Sequence, residues 1–284
     1  VKLHDCLTEP IKSNKWGGEL QNPTGALYYR DNGADVLAVA HLDAVMVSKP
    51  TKEGPYVFCP QLDDRLGVWV LLYMLPKIGV NVDVLLTDCE EVGQSTAQHF
   101  PKVKDYNWMV EFDRKGTDFV MYDYEHHEYI DALERYGIYA GWGSFSDICY
   151  LEHLGVVGFN IGTGYYQEHS KHCWANLNDT RRQARIFAEF WNDYKDIPMP
   201  IVEKPAKYVD TYNDWWLDDK GTAQEEKKLS EYTRDEWWEI DRMAEYYGYG
   251  SAEEFIKDGG LSYHTKEWAS LPETEEPGPY QEID

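Results

Sequence analysis

Acidic and imidazole side chains recur at a few short stations along this chain. His41-Leu42-Asp43 follows one apolar run, and Asp63-Asp64 precedes another. Asp88-Cys89-Glu90-Glu91 comes next, then Asp113, then His169 beyond a glycine-containing loop. A single histidine or acid after a strand is ordinarily structural. Five stations in one order are different: buried carboxylates repel each other and lose hydration, so gathering them is costly unless a cation supplies positive charge. Two histidines with three carboxylates suit zinc, cobalt or manganese better than magnesium, because imidazole prefers the softer ions. Two such ions can share a water, lower its pKa and polarise a carbonyl, while a nearby carboxylate takes the proton. The adjacent Glu90 and Glu91 would diverge on a strand; in a turn one could bind metal and the other stay free, and spacing does not say which.

These stations need elements to hold them. Apolar runs at 36–40, 82–87, 108–112 and 156–161 predict buried strands, and the acids and histidines sit at or just after their ends. The spacing predicts helices over 66–75, 127–136, 145–154 and about 178–191. Strands alternating with helices predict an α/β fold, a three-layer sandwich with a mostly parallel central sheet, whose sites form beyond the carboxyl ends of the strands. Proline-rich residues 198–205 read as a linker. The expected division is therefore a catalytic domain over 1–197 and an acidic, aromatic-rich extension over 198–284. Helices are predicted there at 229–247 and 252–257, with disorder from 272 onward.

The set resembles the co-catalytic zinc aminopeptidase and carboxypeptidase superfamily. The matching stretches are Ala40-His41-Leu42-Asp43, Leu62-Asp63-Asp64-Arg65-Leu66-Gly67, Glu90-Glu91-Val92-Gly93, Val110-Glu111-Phe112-Asp113, Ser146-Asp147 and Tyr165-Tyr166-Gln167-Glu168-His169-Ser170, spread over about residues 20–190. Carried over residue by residue, the resemblance implies that Asp63 bridges two zinc ions. His41 and Asp113 would complete one site, and Glu91 and His169 the other. Glu90 would be the general base, and Asp43 would orient His41. It also implies cleavage of an amide bond in a small peptide or acylated amine, in the layout of a single-domain aminopeptidase. Rival readings are a glutaminyl-cyclase-like enzyme with one zinc and a catalytically retired homologue kept as a binding protein. Within the site, Asp64 competes with Asp63, and His172 with His169. Cys59, Cys89 and Cys173 are alternative thiolate ligands, with buried free thiols as the expectation. His126-His127 are expected to point apart, Ser146-Asp147 to cap a helix, and Arg65 and Lys115 to be solvated charges.

Composition sets outer bounds. The chain of 284 residues carries 27 Lys and Arg against 51 Asp and Glu, a net charge of −24, which argues against a nucleic-acid partner. Five cysteines without a C-x-x-C pair argue against a disulfide framework and fit a reducing cytoplasm. No signal peptide or membrane span is expected. The acidic extension is the expected surface for a homo-oligomer or a protein partner.

Overall fold

The computed structural model describes residues 2–143 and 145–202 and a helix at Ala252–Lys257. The expected helix at 229–247, the tryptophan pairs and the tail from 272 lie outside the described residues. Four buried apolar runs form the centre of a seven-stranded sheet. They are β3 (Val36–His41), β6 (Asp83–Thr87), β7 (Trp108–Arg114) and β9 (Gly158–Gly162), all parallel to one another. Their nearly continuous burial is what a parallel sheet covered on both faces requires. Antiparallel edges close it: β1 (Gly18–Glu19) and β2 (Tyr28–Arg30) on one side, β8 (Phe119–Val120) on the other, in the order β1-β2-β6-β3-β7-β9-β8.

Helices complete the layers. Besides α1 (Leu3–Thr8), the chain forms α2 (Leu62–Trp69), which runs through a π turn (Val70–Met74) into the short α3 (Leu75–Lys77). The π turn lies just before Pro76, whose missing N–H interrupts the ordinary hydrogen-bond ladder. Helix α4 (His127–Glu134) and the long α5 (Leu177–Tyr194) match their predicted segments closely. The predicted helix at 145–154 is instead a 3-10 helix, Asp147–Leu154. Phe187 and Phe190 of α5 pack on Trp108, Phe112 and Phe159 of the sheet; the Phe112 and Phe187 rings meet edge-on at 5.1 Å and the Trp108 and Phe190 rings at 5.4 Å. Helix α6 is Ala252–Lys257, within the predicted range.

The sequence patterns did not anticipate a second sheet. Four short strands, β4 (Thr51–Glu53), β5 (Tyr56–Phe58), β10 (Tyr165–Tyr166) and β11 (Trp174–Asn176), pair antiparallel in the order β10-β11-β5-β4. Strands of two or three residues are too short to show a period. The first residues of the proline-rich stretch pair with the sheet. Met199 accepts from the Val157 N–H and donates to the Asn107 carbonyl, and Pro200 bridges Val156, so the first unit runs to Val202. Among the described residues no helix is long and apolar enough to cross a membrane.

One buried acid ties this frame together. Asp83, fully buried at the start of β6, accepts from the N–H groups of Asn32 (2.9 Å) and Ala34 (3.1 Å), from the hydroxyls of Tyr29 (2.7 Å) and Tyr106 (3.0 Å), and from Lys104 (2.6 Å). Burial alone would raise its pKa, but Lys104, Tyr29 and the two N–H groups hold it below the usual carboxylate range. A depressed pKa contributes stability above the unfolded value of about 3.9, and that contribution is lost as pH falls through the lower folded value. Asp83→Ala is therefore expected to cost about 3 kcal/mol in urea unfolding at pH 7. The gap to wild type should narrow below about pH 4; a gap independent of pH would refute the ionic part of this account.

Candidate metal centre

Strand ends and one hairpin bring the sequence stations together. His41 ends β3 and is fully buried. Its Nδ1 lies 3.1 Å from the Asp43 carbonyl oxygen and 3.4 Å from the Asp43 carboxylate, so Nδ1 carries the proton. The Nε2 lone pair then faces Asp63 Oδ1 and Asp113 Oδ1, each at 3.4 Å, with Glu90 Oε2 at 3.9 Å. Asp63 turns its other oxygen, Oδ2, toward His169 Nε2 at 3.3 Å, and Glu91 Oε2 lies 3.0 Å from that same nitrogen. One carboxylate thus stands between two clusters: His41 and Asp113 on one side, Glu91 and His169 on the other.

Local sequence explains these placements. Asp63 and Asp64 begin α2 with non-helical dihedrals, and the peptide bond between them is cis. Gly67 lets α2 close on β7, since a Cβ there would come within 2.0 Å of the Phe112 carbonyl oxygen; that contact sets Asp63 beside Asp113. Cys89 adopts a left-handed conformation (φ 65°) and turns the chain after β6 into a 3-10 turn over Glu90–Val92. The Asp43 carboxylate accepts from the N–H groups of Glu90 (3.3 Å) and Glu91 (3.1 Å), locking that turn to the end of β3. His169 sits in the connection between β10 and β11, also left-handed (φ 55°). Register places Trp174 opposite Phe58, and the Cys59 N–H donates to the Cys173 carbonyl at 3.2 Å, so the small sheet carries His169 alongside the approach to Asp63.

The competing residues stand elsewhere. Asp64 is fully buried, but Oδ1 accepts from the Gly67 N–H at 3.1 Å, and Oδ2 has no partner. His172 is exposed, three residues beyond His169. No cysteine enters the His, Asp and Glu groups whose ligand atoms converge among the described residues. Burial pushes the Cys59 and Cys173 thiols up to about 12, which keeps them protonated. Two expectations are corrected. Arg65 is not solvated: it is buried and gives its N–H groups to the carbonyls of Leu42, Cys6 and Glu9. His126 and His127 do not point apart; their rings are 4.4 Å apart. Lys115 is exposed and pairs with Glu168.

Three residues at the centre were given no role in the metal site by the sequence reading. Tyr165, fully buried in β10, directs its hydroxyl to Asp63 Oδ1 and Asp113 Oδ1, both at 3.2 Å. Glu111 and Asp147 are buried behind them. Ser146 does not cap the 3-10 helix with its side chain as expected; its hydroxyl donates to Glu111, which also accepts from the N–H groups of Asp147 and Ile148. Thr87 donates to Asp147 Oδ2, leaving Oδ1 without a partner. The alternation of β7 was the available signal for Glu111: it puts Glu111 and Asp113 on one face, opposite Trp108 and Phe112.

The electrostatics are those of excess negative charge in a largely buried crevice. Burial, reinforced by neighbouring acids, raises Asp64, Glu111 and Asp113 well above the carboxylate range and Glu90 to about 8. Burial opposes protonation of His41, but Asp113, Asp43 and Asp63 outweigh it and drive its pKa well above the ordinary imidazole value. The Glu91 hydrogen bond lifts His169 to about 9. His41 Nε2 is itself buried without a hydrogen-bond partner. A nitrogen facing two carboxylates must either carry a proton or have a cation between itself and them. The donor set therefore fits divalent metal.

No protein-family model and no curated protein matches the chain. Solved structures with partial likeness include aminopeptidase PepT from Bacillus cereus, at 10% identity over 58% of this chain and 83% of that one with a TM-score of 0.44. A tripeptidase from Staphylococcus aureus matches at 10% identity over 58% and 83% with a TM-score of 0.47. An aminopeptidase from the archaeon Desulfurococcus kamchatkensis matches at 13% identity over 66% and 87% with a TM-score of 0.47. At these identities and scores the likeness carries no assignment of chemistry.

Proposed function

We propose that the chain is a two-metal hydrolase that cleaves an amide bond of a small peptide, acting as an aminopeptidase in the cytoplasm. The observation that carries this reading is His41 Nε2, which is buried without a hydrogen-bond partner while facing Asp63 and Asp113, each at 3.4 Å. His41 and Asp113 would hold one ion, Glu91 and His169 the other, and Asp63 both. The two-histidine, three-carboxylate set suits zinc, with cobalt or manganese as substitutes. Bound there, the ions would supply the positive charge that polarises a scissile carbonyl and acidifies a water.

The chain's own groups do the rest. Asp43 holds His41 in the tautomer that leaves Nε2 free and anchors the Glu90-Glu91 turn through both N–H groups. Glu91 is committed to His169, whereas Glu90 makes no contact closer than 3.9 Å with His41. Glu90 is thus the carboxylate free to take a proton from water at its Oε atoms and pass it to the leaving amine. Tyr165 orients the inner oxygens of Asp63 and Asp113.

Elemental analysis of the full chain, dialysed after incubation with zinc, tests this reading. About two ions per chain are expected, with about one in Glu91→Ala. Hydrolysis of leucine p-nitroanilide but not of its N-acetyl derivative would mark a free amine as the recognised end; the reverse would make the enzyme a deacylase or endopeptidase. One ion in wild type would favour the single-zinc, cyclase-like reading. Failure to bind zinc, cobalt or manganese would end the metal reading altogether.

A further inference from the structure

A cavity of about 360 Å³ opens between the π turn and α5, and it shares no residue with the carboxylate crevice. Its walls include Trp69, Tyr73, Lys77, Arg181, Ala184 and Arg185. The Trp69 and Tyr73 rings are stacked, with centroids 5.6 Å apart and planes at 17°, so one wall is aromatic. Lys77 Nζ lies 5.4 Å from the Tyr73 ring centroid. Arg181 uses one guanidinium nitrogen on the Leu177 carbonyl and the Asn178 side chain. Among the described residues, none of Lys77, Arg181 and Arg185 forms an ion pair with a carboxylate.

That grouping is at odds with the rest of the molecule. Acids outnumber bases 51 to 27 in this chain, so a basic side chain has acids available to it nearly everywhere. Three cations around one cavity with no acid among the described residues that line it repel one another. The wall carries a further unsatisfied group: Trp69 is only 7% exposed, and its indole Nε1 is buried with no acceptor. The cavity also borders a π turn, a helical irregularity concentrated at functional sites.

We propose that this cavity is a second binding site, for a small anion carried on a flat apolar ring, the class of aromatic carboxylates. The ring lies along the Trp69 and Tyr73 wall. The carboxylate meets the unpaired guanidinium of Arg185, with Lys77 and Arg181 adding charge; an arginine fork matches a carboxylate in two parallel hydrogen bonds. The volume is that of a small-ligand site, at the low end of the usual range.

Isothermal titration of the full chain with 2-naphthoate is expected to give one saturable site. Arg185→Glu and Lys77→Glu should each weaken it by about tenfold or more, and Arg185→Lys, which keeps the charge and loses the fork, by about threefold. 2-Naphthalenemethanol, the same ring without the charge, should bind about tenfold more weakly or not at all. Both reversed positions are exposed, and circular dichroism confirms the fold of each variant. No saturable binding of 2-naphthoate, equal affinity for the neutral ring, or unchanged affinity in both charge reversals would overturn the proposal.

Discussion

Replacing Glu90 with glutamine is expected to lower kcat for a peptide substrate by about 10²–10⁴-fold while leaving metal content near its wild-type value. Glutamine keeps the shape and can still donate a hydrogen bond, but it cannot accept and return a proton at neutral pH. The expectation rests on how the two adjacent glutamates are held. Glu91 reaches His169 at 3.0 Å and would belong to the proposed ligand shell, while Glu90 stands 3.9 Å from His41 Nε2 in a pocket whose burial lifts its pKa to about 8. A carboxylate so raised binds a proton more firmly than one in water, which is what a general base near neutral pH needs. KM should change little, because Glu90 would act on the water rather than on the substrate. Steady-state kinetics with parallel metal analysis separate the roles. A variant that loses an ion would make Glu90 a ligand, and a variant at full rate would move the base elsewhere.

The second large effect is on stability. Eight acids line the crevice or lie directly behind it: Asp43, Asp63, Asp64, Glu90, Glu91, Glu111, Asp113 and Asp147. Among the described residues, the two histidines stand against them, since Arg65 spends its guanidinium on backbone carbonyls. Without divalent cations this repulsion is relieved only by taking up protons. Zinc at a hundred times its Kd should add about 2.7 kcal/mol per site to the metal-stripped protein. Scanning calorimetry should then show Tm rising by roughly 5–10 °C for each site filled. The gain should shrink as pH falls: ligands must be deprotonated to bind metal, and protons compete for His41 and His169, whose metal-free pKa values are raised. Asp63→Asn should lose most of the gain, because that side chain faces both clusters. A Tm indifferent to zinc in wild type would contradict the metal reading.

Much of the frame was readable before folding. Runs such as Val36–His41 and Asp83–Thr87 are buried along their whole length and apolar through most of it, because both faces of a parallel strand are covered. The rule that sites gather at carboxyl ends of parallel strands then located His41, Glu90, Glu91 and Asp113. The small sheet was unreadable for the opposite reason. Its strands are only two or three residues long, and the pairing that joins its two local hairpins, Phe58 opposite Trp174, spans more than a hundred residues. No local pattern records that pairing. At 198–200 the chain still pairs with the sheet, because an edge bridge accepts proline, which needs no ladder donor there.

For the candidate site, the sequence by itself determined the side-chain types, their order, and the accumulation of acids that calls for a cation. Those follow from chemistry that needs no coordinates: like charges repel, and imidazole selects softer metals. Tertiary structure alone decided which residue stands where. Asp63 rather than Asp64 faces two clusters because α2 starts irregularly and closes on β7 at Gly67. His169 rather than His172 reaches Glu91 because the β10–β11 connection turns through a left-handed residue. Tyr165, Glu111 and Asp147 joined the centre only in three dimensions. A residue's neighbours across a sheet or between layers depend on register and packing, which a linear spacing does not encode.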